Sequence, residues 1–314
     1  MRALVLGGYG TSGAPVVGML RAGGDSAVAA GRDAARADRV IDLRAPDRSP
    51  FVAALDGVDV VVNAAGIEDP GLVAAAADRG VAVVDITATT PYVAAIERLA
   101  PRAPVVLSVG LAPGLTNLLA AAVHQAAPGA AGIEIALVLG AGERHGAAGV
   151  AWSFALLGRR FADPATGECV RNYSRPRRFD LPGLGSRRLY RADFSDQHVL
   201  TRDLGVGVRT YFGLDSRAAT TLLAALTWVP GGSHAPQGLH LPGGDRWLAL
   251  ARSADGTAVW AQGRLQSHAT AVLAVAAARR AVELPAGVHH LHGVMGIADI
   301  PADSGIEVAG PRVG

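Results

Sequence analysis

Arg2-Ala-Leu-Val-Leu-Gly-Gly-Tyr-Gly-Thr-Ser-Gly13 is the stretch from which the rest of the chain can be read. Ala3 to Leu6 is an apolar run of strand length. Gly8, Gly10 and Gly13 follow in the spacing G-x-G-x-x-G, and a helix-compatible segment starts at Ala14. Strand, glycine turn and helix in that order grip a dinucleotide pyrophosphate. On this reading Gly8 takes the angles of the tight turn and Gly10 leaves the backbone bare for the phosphates. Gly13 lets the helix pack close to the strand. The helix start directs free N–H groups and its positive dipole end at the anion. Tyr9, Thr11 and Ser12 fill the loop between the glycines and join the expected cofactor contacts.

Downstream, a helix carrying Val16, Val17, Met19 and Leu20 stops at Gly23-Gly24, with Pro15 in its first turn. Ser26 to Ala30 reads as a second strand. At its end an NAD-preferring fold places Asp or Glu for the ribose 2′-hydroxyl, whereas this chain has Gly31-Arg32. A guanidinium there pairs with a 2′-phosphate, so the expected cofactor is NADP (NADPH). Arg39 to Leu43 reads as a third strand, with Asp42 where adenine contacts are usual. Val58 to Ala64 is a nearly continuous apolar run, as in a parallel strand buried on both faces. It ends in Asn63-Ala64-Ala65-Gly66, which let a cofactor approach the strand's carboxyl end. Further strands at Val81–Ile86 and Pro104–Val109 alternate with helices at Pro70–Arg79, Pro91–Ala100 and up to His124. This alternation predicts an α/β fold: an N-terminal Rossmann domain over residues 1–127, with a doubly wound parallel sheet.

Pro128-Gly129 marks a break, after which the period changes. Strand-like runs at Gly132–Leu139, Glu168–Tyr173, Arg187–Asp193 and Val206–Phe212 precede a helix at Ala218–Trp228. Trp247–Ala254 and Thr257–Leu265 form a hairpin around Asp255-Gly256, and Ser267–Val282 is a long helix. The expectation is a second α+β domain over 128–284, built on a mostly antiparallel sheet, with residues 285–314 packing back on the first domain.

Composition narrows the function classes. All 29 Lys-plus-Arg positions are arginine, so no lysine can serve as base or Schiff-base former. A net charge of +2 argues against nucleic acid as partner. No apolar span reaches transmembrane length and no secretory leader pattern precedes the first strand. Cys169 is the single cysteine and has no partner for an internal disulfide. These features predict a cytoplasmic protein without membrane contact.

The chain resembles the saccharopine dehydrogenase-like family of NAD(P)-dependent oxidoreductases. The resemblance rests on Gly7–Gly13, Ala30-Gly31-Arg32, Val84-Asp85-Ile86-Thr87, Gly110-Leu111-Ala112-Pro113-Gly114-Leu115, Thr210-Tyr211-Phe212-Gly213-Leu214 and Ala269-Thr270-Ala271. It implies a Rossmann domain followed by a substrate and dimerisation domain, hence a homodimer, with hydride transfer to or from an imine. Other relatives reduce C=C bonds in lipid or natural-product pathways. The missing lysine speaks against saccharopine itself as substrate.

A proton donor is expected near the strand carboxyl ends or in the second domain. His145, in a glycine-rich loop, is the first candidate, because an unperturbed imidazole titrates near neutrality. Asp85 closes a core strand and is the second; its competing role is a structural hydrogen bond. Tyr173 is the third, with strand packing as its competing role. His289, His290 and His292 have no acidic or cysteine neighbour in sequence, and no metal site is expected. Nine arginines lie between Arg159 and Arg191. They suit a small carboxylate-bearing metabolite, an acidic acyl or peptidyl carrier protein, or plain solvation. The reading that results is an NADP-dependent reductase of C=N bonds. Its alternatives are an enoyl-type C=C reductase and a non-catalytic NADP(H) sensor.

Overall fold

The computed structural model describes residues 1–87, 89–142, 155–230 and 243–311. In chain order these form β1 (Arg2–Leu6), α1 (Gly13–Ala22), β2 (Ser26–Gly31), β3 (Arg39–Val40), α2 (Ser49–Ala53), β4 (Val60–Asn63), α3 (Pro70–Ala77), β5 (Ala82–Asp85), α4 (Thr90–Ile96) and β6 (Pro104–Leu107). Next come α5 (Thr116–Ala126), β7 (Gly132–Leu139), β8 (Arg160–Ala162), β9 (Cys169–Arg171), β10 (Ser174–Leu181) and β11 (Gly185–Arg191). The helix Ser195–Leu204 precedes β12 (Gly207–Leu214), and the helix Arg217–Leu226 precedes β13 (Arg246–Ser253) and β14 (Ala258–Arg264). The helix Gln266–Ala281, β15 (Gly287–His290) and β16 (Glu307–Ala309) complete the order.

Two compact units result: Met1–Gly114 with Ser267–Ser304, and Leu115–Gln266 with Gly305–Gly314. In the first, the strands run β15-β6-β5-β4-β1-β2-β3, every pair parallel. The order reverses between β1 and β4, which opens a crevice beyond their carboxyl ends. Ala3–Leu6, Val60–Asn63 and Ala82–Asp85 are buried throughout, which accounts for their unbroken apolar runs. Asp69 caps α3 by accepting the Gly71 amide at 2.8 Å, with Pro70 at the first helical position.

In the second unit the sheet order is β10-β11-β12-β7-β13-β14-β16. β12 and β7 are parallel and the other pairs antiparallel, so the sheet is mixed with an antiparallel majority. α5 lies on β7, β13 and β14 and against the helix Ser195–Leu204.

Three boundaries differ from the sequence reading. Residues 115–127 join the second unit, because α5 buries Leu118, Leu119, Ala122 and Val123 while packing on that sheet. Residues 267–284 join the first unit, where the helix Gln266–Ala281 reaches Asp25 through Arg279 at 3.0 Å. The last thirty residues divide: β15 extends the parallel sheet beside β6, whereas β16 pairs with β14. The arginine-rich β10 was not foreseen. It is an edge strand with a register shift between Ser174 and Arg177, a position that tolerates Pro176.

Among the described residues no helix is long and apolar enough to cross a membrane.

Candidate functional site

The turn after β1 is built by backbone proximity. Gly7 takes φ +70°, and its amide and that of Gly8 both donate to the Ala30 carbonyl, at 2.8 and 3.2 Å. The turn angle assigned to Gly8 therefore belongs to Gly7. Gly8 instead lies against β2, where a Cβ would come within 2.6 Å of Ala29 Cα. A Cβ on Gly13 would overlap the Gly7 carbonyl oxygen, so α1 can start this close to the strand only with glycine there. The amides of Thr11, Ser12 and Gly13 find no acceptor among the described residues. They belong to the start of α1, where helix geometry leaves N–H groups over.

Beside this turn opens a cleft of about 200 Å³. Gly7, Tyr9 and Gly10 form one wall, Arg32, Asp42 and Arg44 another, and Ala64 and Ala65 lie at the end of β4. Of the expected cofactor contacts, the fold thus gathers Tyr9, Gly10, Arg32, Asp42, Ala64 and Ala65 in one space. Gly8, Thr11, Ser12 and Gly13 shape the adjoining turn. Gly66 takes φ +64° in the loop that follows β4.

Tyr9 organises the rim. Its hydroxyl accepts the Asp33 amide at 2.9 Å, and its ring occupies the space a Cβ on Gly31 would need. Arg36 stacks over that ring at 4.5 Å and donates to the Tyr9 carbonyl at 2.6 Å. Arg32 is exposed at the end of β2 and forms no hydrogen bond or ion pair with a described residue. Asp42 accepts the Arg44 amide at 3.0 Å, which bends the chain after β3 and brings Arg44 into the cleft. Arg36 and Arg44 were missed in the sequence because only the fold brings them beside Tyr9 and Arg32.

Asn63 and Asp85 face one another at the ends of β4 and β5. Asn63 Nδ2 donates to Asp85 Oδ2 at 2.8 Å and to the Ile67 carbonyl at 3.0 Å. Tyr92 Oη also donates to Asp85 Oδ2, at 2.7 Å, and the Thr87 amide to Oδ1 at 2.8 Å. Burial raises the Asp85 pKa above the usual carboxylate range, against the pull of these donors. Asp85 is 0% exposed, and the bonds its carboxyl accepts all come from this knot of strand ends. Asn63, expected as a cofactor contact, spends its amide on the same knot.

Tyr173 sits between β9 and β10, in the core of the second unit, its ring 6.2 Å from that of Phe212. Burial pushes its phenol pKa up. His145 lies outside the described residues.

Of the three histidines near the end of the chain, His290 finds an acidic neighbour through space. His290 Nε2 is 2.8 Å from Glu97 Oε1, and its Nδ1 is 2.9 Å from Ser108 Oγ. These bonds tie β15 to β6 and to the segment after α4. His289 Nε2 bonds the Pro285 carbonyl at 2.9 Å. Among the described residues no group of three or more potential ligands is placed to hold a metal.

The nine arginines separate. Arg191 is buried and reaches Asp163 at 2.6 Å and Gln197 at 2.9 Å, and Arg209 reaches Asp163 at 3.0 Å. Burial opposes the Asp163 charge, yet the two guanidinium groups hold its carboxyl well below the usual range. Arg171 lies over Trp228, and Arg175 pairs with Glu168.

No protein-family model matches the chain. No curated protein is similar to it in sequence. Solved structures do share its architecture. Saccharopine dehydrogenase (L-Glu forming) from Saccharomyces cerevisiae is similar over 93% of this chain and 94% of its own, at 14% identity and a TM-score of 0.59. A substituted meso-DAP dehydrogenase with DAP from Clostridium tetani E88 is similar over 96% of each chain, at 12% identity and a TM-score of 0.51. A parallel dinucleotide-type sheet joined to a mixed second sheet thus gives the chain a saccharopine dehydrogenase-like fold.

Proposed function

We propose that the protein is an NADP-dependent oxidoreductase that transfers hydride to the C=N bond of a small carboxylate-bearing metabolite. The observation that carries this reading is the join between the Gly7–Gly13 turn and the arginine-walled cleft. The turn fits a pyrophosphate: the amides of Thr11, Ser12 and Gly13 have no acceptor among the described residues, and the glycines of the turn carry no Cβ. Arg32 and Arg44 fit a 2′-phosphate, each with guanidinium donors to give. Tyr9, clamped by Asp33 and Arg36, supplies a rigid edge against which an adenosine half can rest. Ala64 and Ala65 keep the end of β4 open toward the other half.

A bound nicotinamide nucleotide supplies the hydride. The chain's part is to orient the cofactor and exclude competing reactions. Addition of hydride to a protonated imine, R2C=NHR⁺, gives the amine R2CH–NHR with no further proton in that step. An alkene or ketone needs a donor beside the acceptor. Asp85 and Tyr173, the two described candidates for that donor, are both buried. The proteins of similar fold named above are dehydrogenases, one with DAP, itself an amino acid. That supports an amine carbon as the reacting centre.

Titration with NADPH and NADH, followed by nucleotide fluorescence, tests the cofactor assignment. Replacing Arg32 by Asp should weaken NADPH at least about tenfold and leave NADH within about threefold. Equal loss of both nucleotides removes the 2′-phosphate role of Arg32. Failure to bind either one removes the enzyme reading.

A further inference from the structure

The second unit carries a cavity of about 470 Å³ that the proposed reaction does not use. It lies at the starts of β7 and β12, lined by Gly132 and Gly207, and at the end of β13. Arg209, Glu134 and Arg252 form one row across β12, β7 and β13, since Arg209 and Arg252 are both register partners of Glu134. Arg177 reaches in from β10. Four side chains from four strands therefore meet on one face of one sheet.

Their charges do not cancel. Glu134 accepts Arg177 at 2.7 Å and Arg252 at 2.8 Å, which occupies both its oxygens. Arg209 leans on Asp163 through Nε alone, and Asp163 already serves the buried Arg191. Four guanidinium groups thus share two carboxylates. Of the nearby acids, Glu168 pairs with Arg175, and Asp255 accepts from Ser253 and Thr257 within its own hairpin and forms no ion pair with these guanidinium groups. Arg252 is further fixed by lying over the Phe179 ring at 5.0 Å. Placing like charges side by side in a cavity is unfavourable unless an anion joins them, and forked guanidinium groups match carboxylate and phosphate oxygens.

We propose that this cavity is a binding site for a small organic or inorganic dianion, held by Arg177, Arg209 and Arg252, with Glu134 setting the spacing of the guanidinium groups. The site is independent of the nicotinamide reading, because it is assembled within the second unit alone.

Calorimetric titration with glutarate and, separately, with inorganic phosphate tests it on the full chain without nucleotide. Saturable one-to-one binding of either probe is expected, and the stronger of the two identifies a dicarboxylate or a phosphate ligand. Arg177→Gln should weaken it about tenfold, the scale of a lost charge-assisted contact. Arg178→Gln is the control, because Arg178 is the next residue along the same edge strand and does not line the cavity. It should change affinity less than about twofold. Thermal melting of each variant checks that it is folded. Absence of saturable binding overturns the proposal, as does equal weakening by the Arg177 and Arg178 variants. Phosphate that binds the Arg177→Gln chain unchanged reports the glycine turn instead and also overturns it. NADPH binding stays intact in all these outcomes, so failure here leaves the cofactor reading standing.

Discussion

Arg32 and Arg191 put the same side chain to opposite uses. Arg32 stands exposed at a strand end with no described partner. Arg191 is sealed in the second sheet with Asp163 and Gln197 on its donors. The first can give its whole donor set to an arriving phosphate; the second has given its contacts to the fold. In a chain without lysine, arginine stands at exposed and buried positions alike, and burial and pairing tell the two kinds apart.

The sharpest test of that contrast is to strand the buried cation. Asp163→Asn should cost about 3–5 kcal/mol in urea unfolding, because an uncompensated charge is left inside. A cost under about 1 kcal/mol would make Arg191 no more structural than a surface arginine. The same carboxyl predicts an acid limb. Its folded pKa lies below 3.8, so its contribution is complete above that pH and is lost as the pH falls further. The Asp163→Asn chain should show a shallower acid limb than the parent.

Next in size is the glycine turn. Gly13→Ala places a Cβ on the Gly7 carbonyl and should weaken NADPH binding more than about tenfold, read by fluorescence titration. Unchanged affinity would mean that the helix start does not hold the diphosphate. Asp85→Asn should cost about 1–3 kcal/mol of stability through its disturbed bonds to Asn63 and Tyr92. NADPH consumption with a keto-acid and amine pair should stay within a few-fold. A collapse of turnover with stability intact would restore Asp85 as the acid. Smallest is Tyr9→Phe, which removes one partly exposed hydrogen bond from Asp33 and should shift stability by about 1 kcal/mol or less.

The parallel sheet was legible because strands buried on both faces leave unbroken apolar runs, as at Val60-Val61-Val62, and because glycine spacing reports backbone contact directly. Arg32 was legible for a similar reason: the end of the second strand is a fixed address in this topology. What escaped was decided by long-range pairing. β10 hides behind Ser-Arg-Pro-Arg-Arg, since an edge strand needs few apolar residues and alternates them with charge. Arg209 and Arg252 are far from Arg177 in sequence and meet it only through sheet register. Asp85 was placed correctly at its strand end, but not its bonds from Tyr92 Oη and Asn63 Nδ2, whose directions no pattern of residues encodes.

Strand β15 gives the nucleotide-type sheet its seventh member, and it arrives from residues 287–290. During translation, therefore, the glycine turn emerges well before β15, and the sheet that supports it stays incomplete until residues 287–290 have been made. Assembly of that sheet awaits a distant segment across a long intervening domain, which favours slow maturation and a lasting need to shield the unpaired edge of β6.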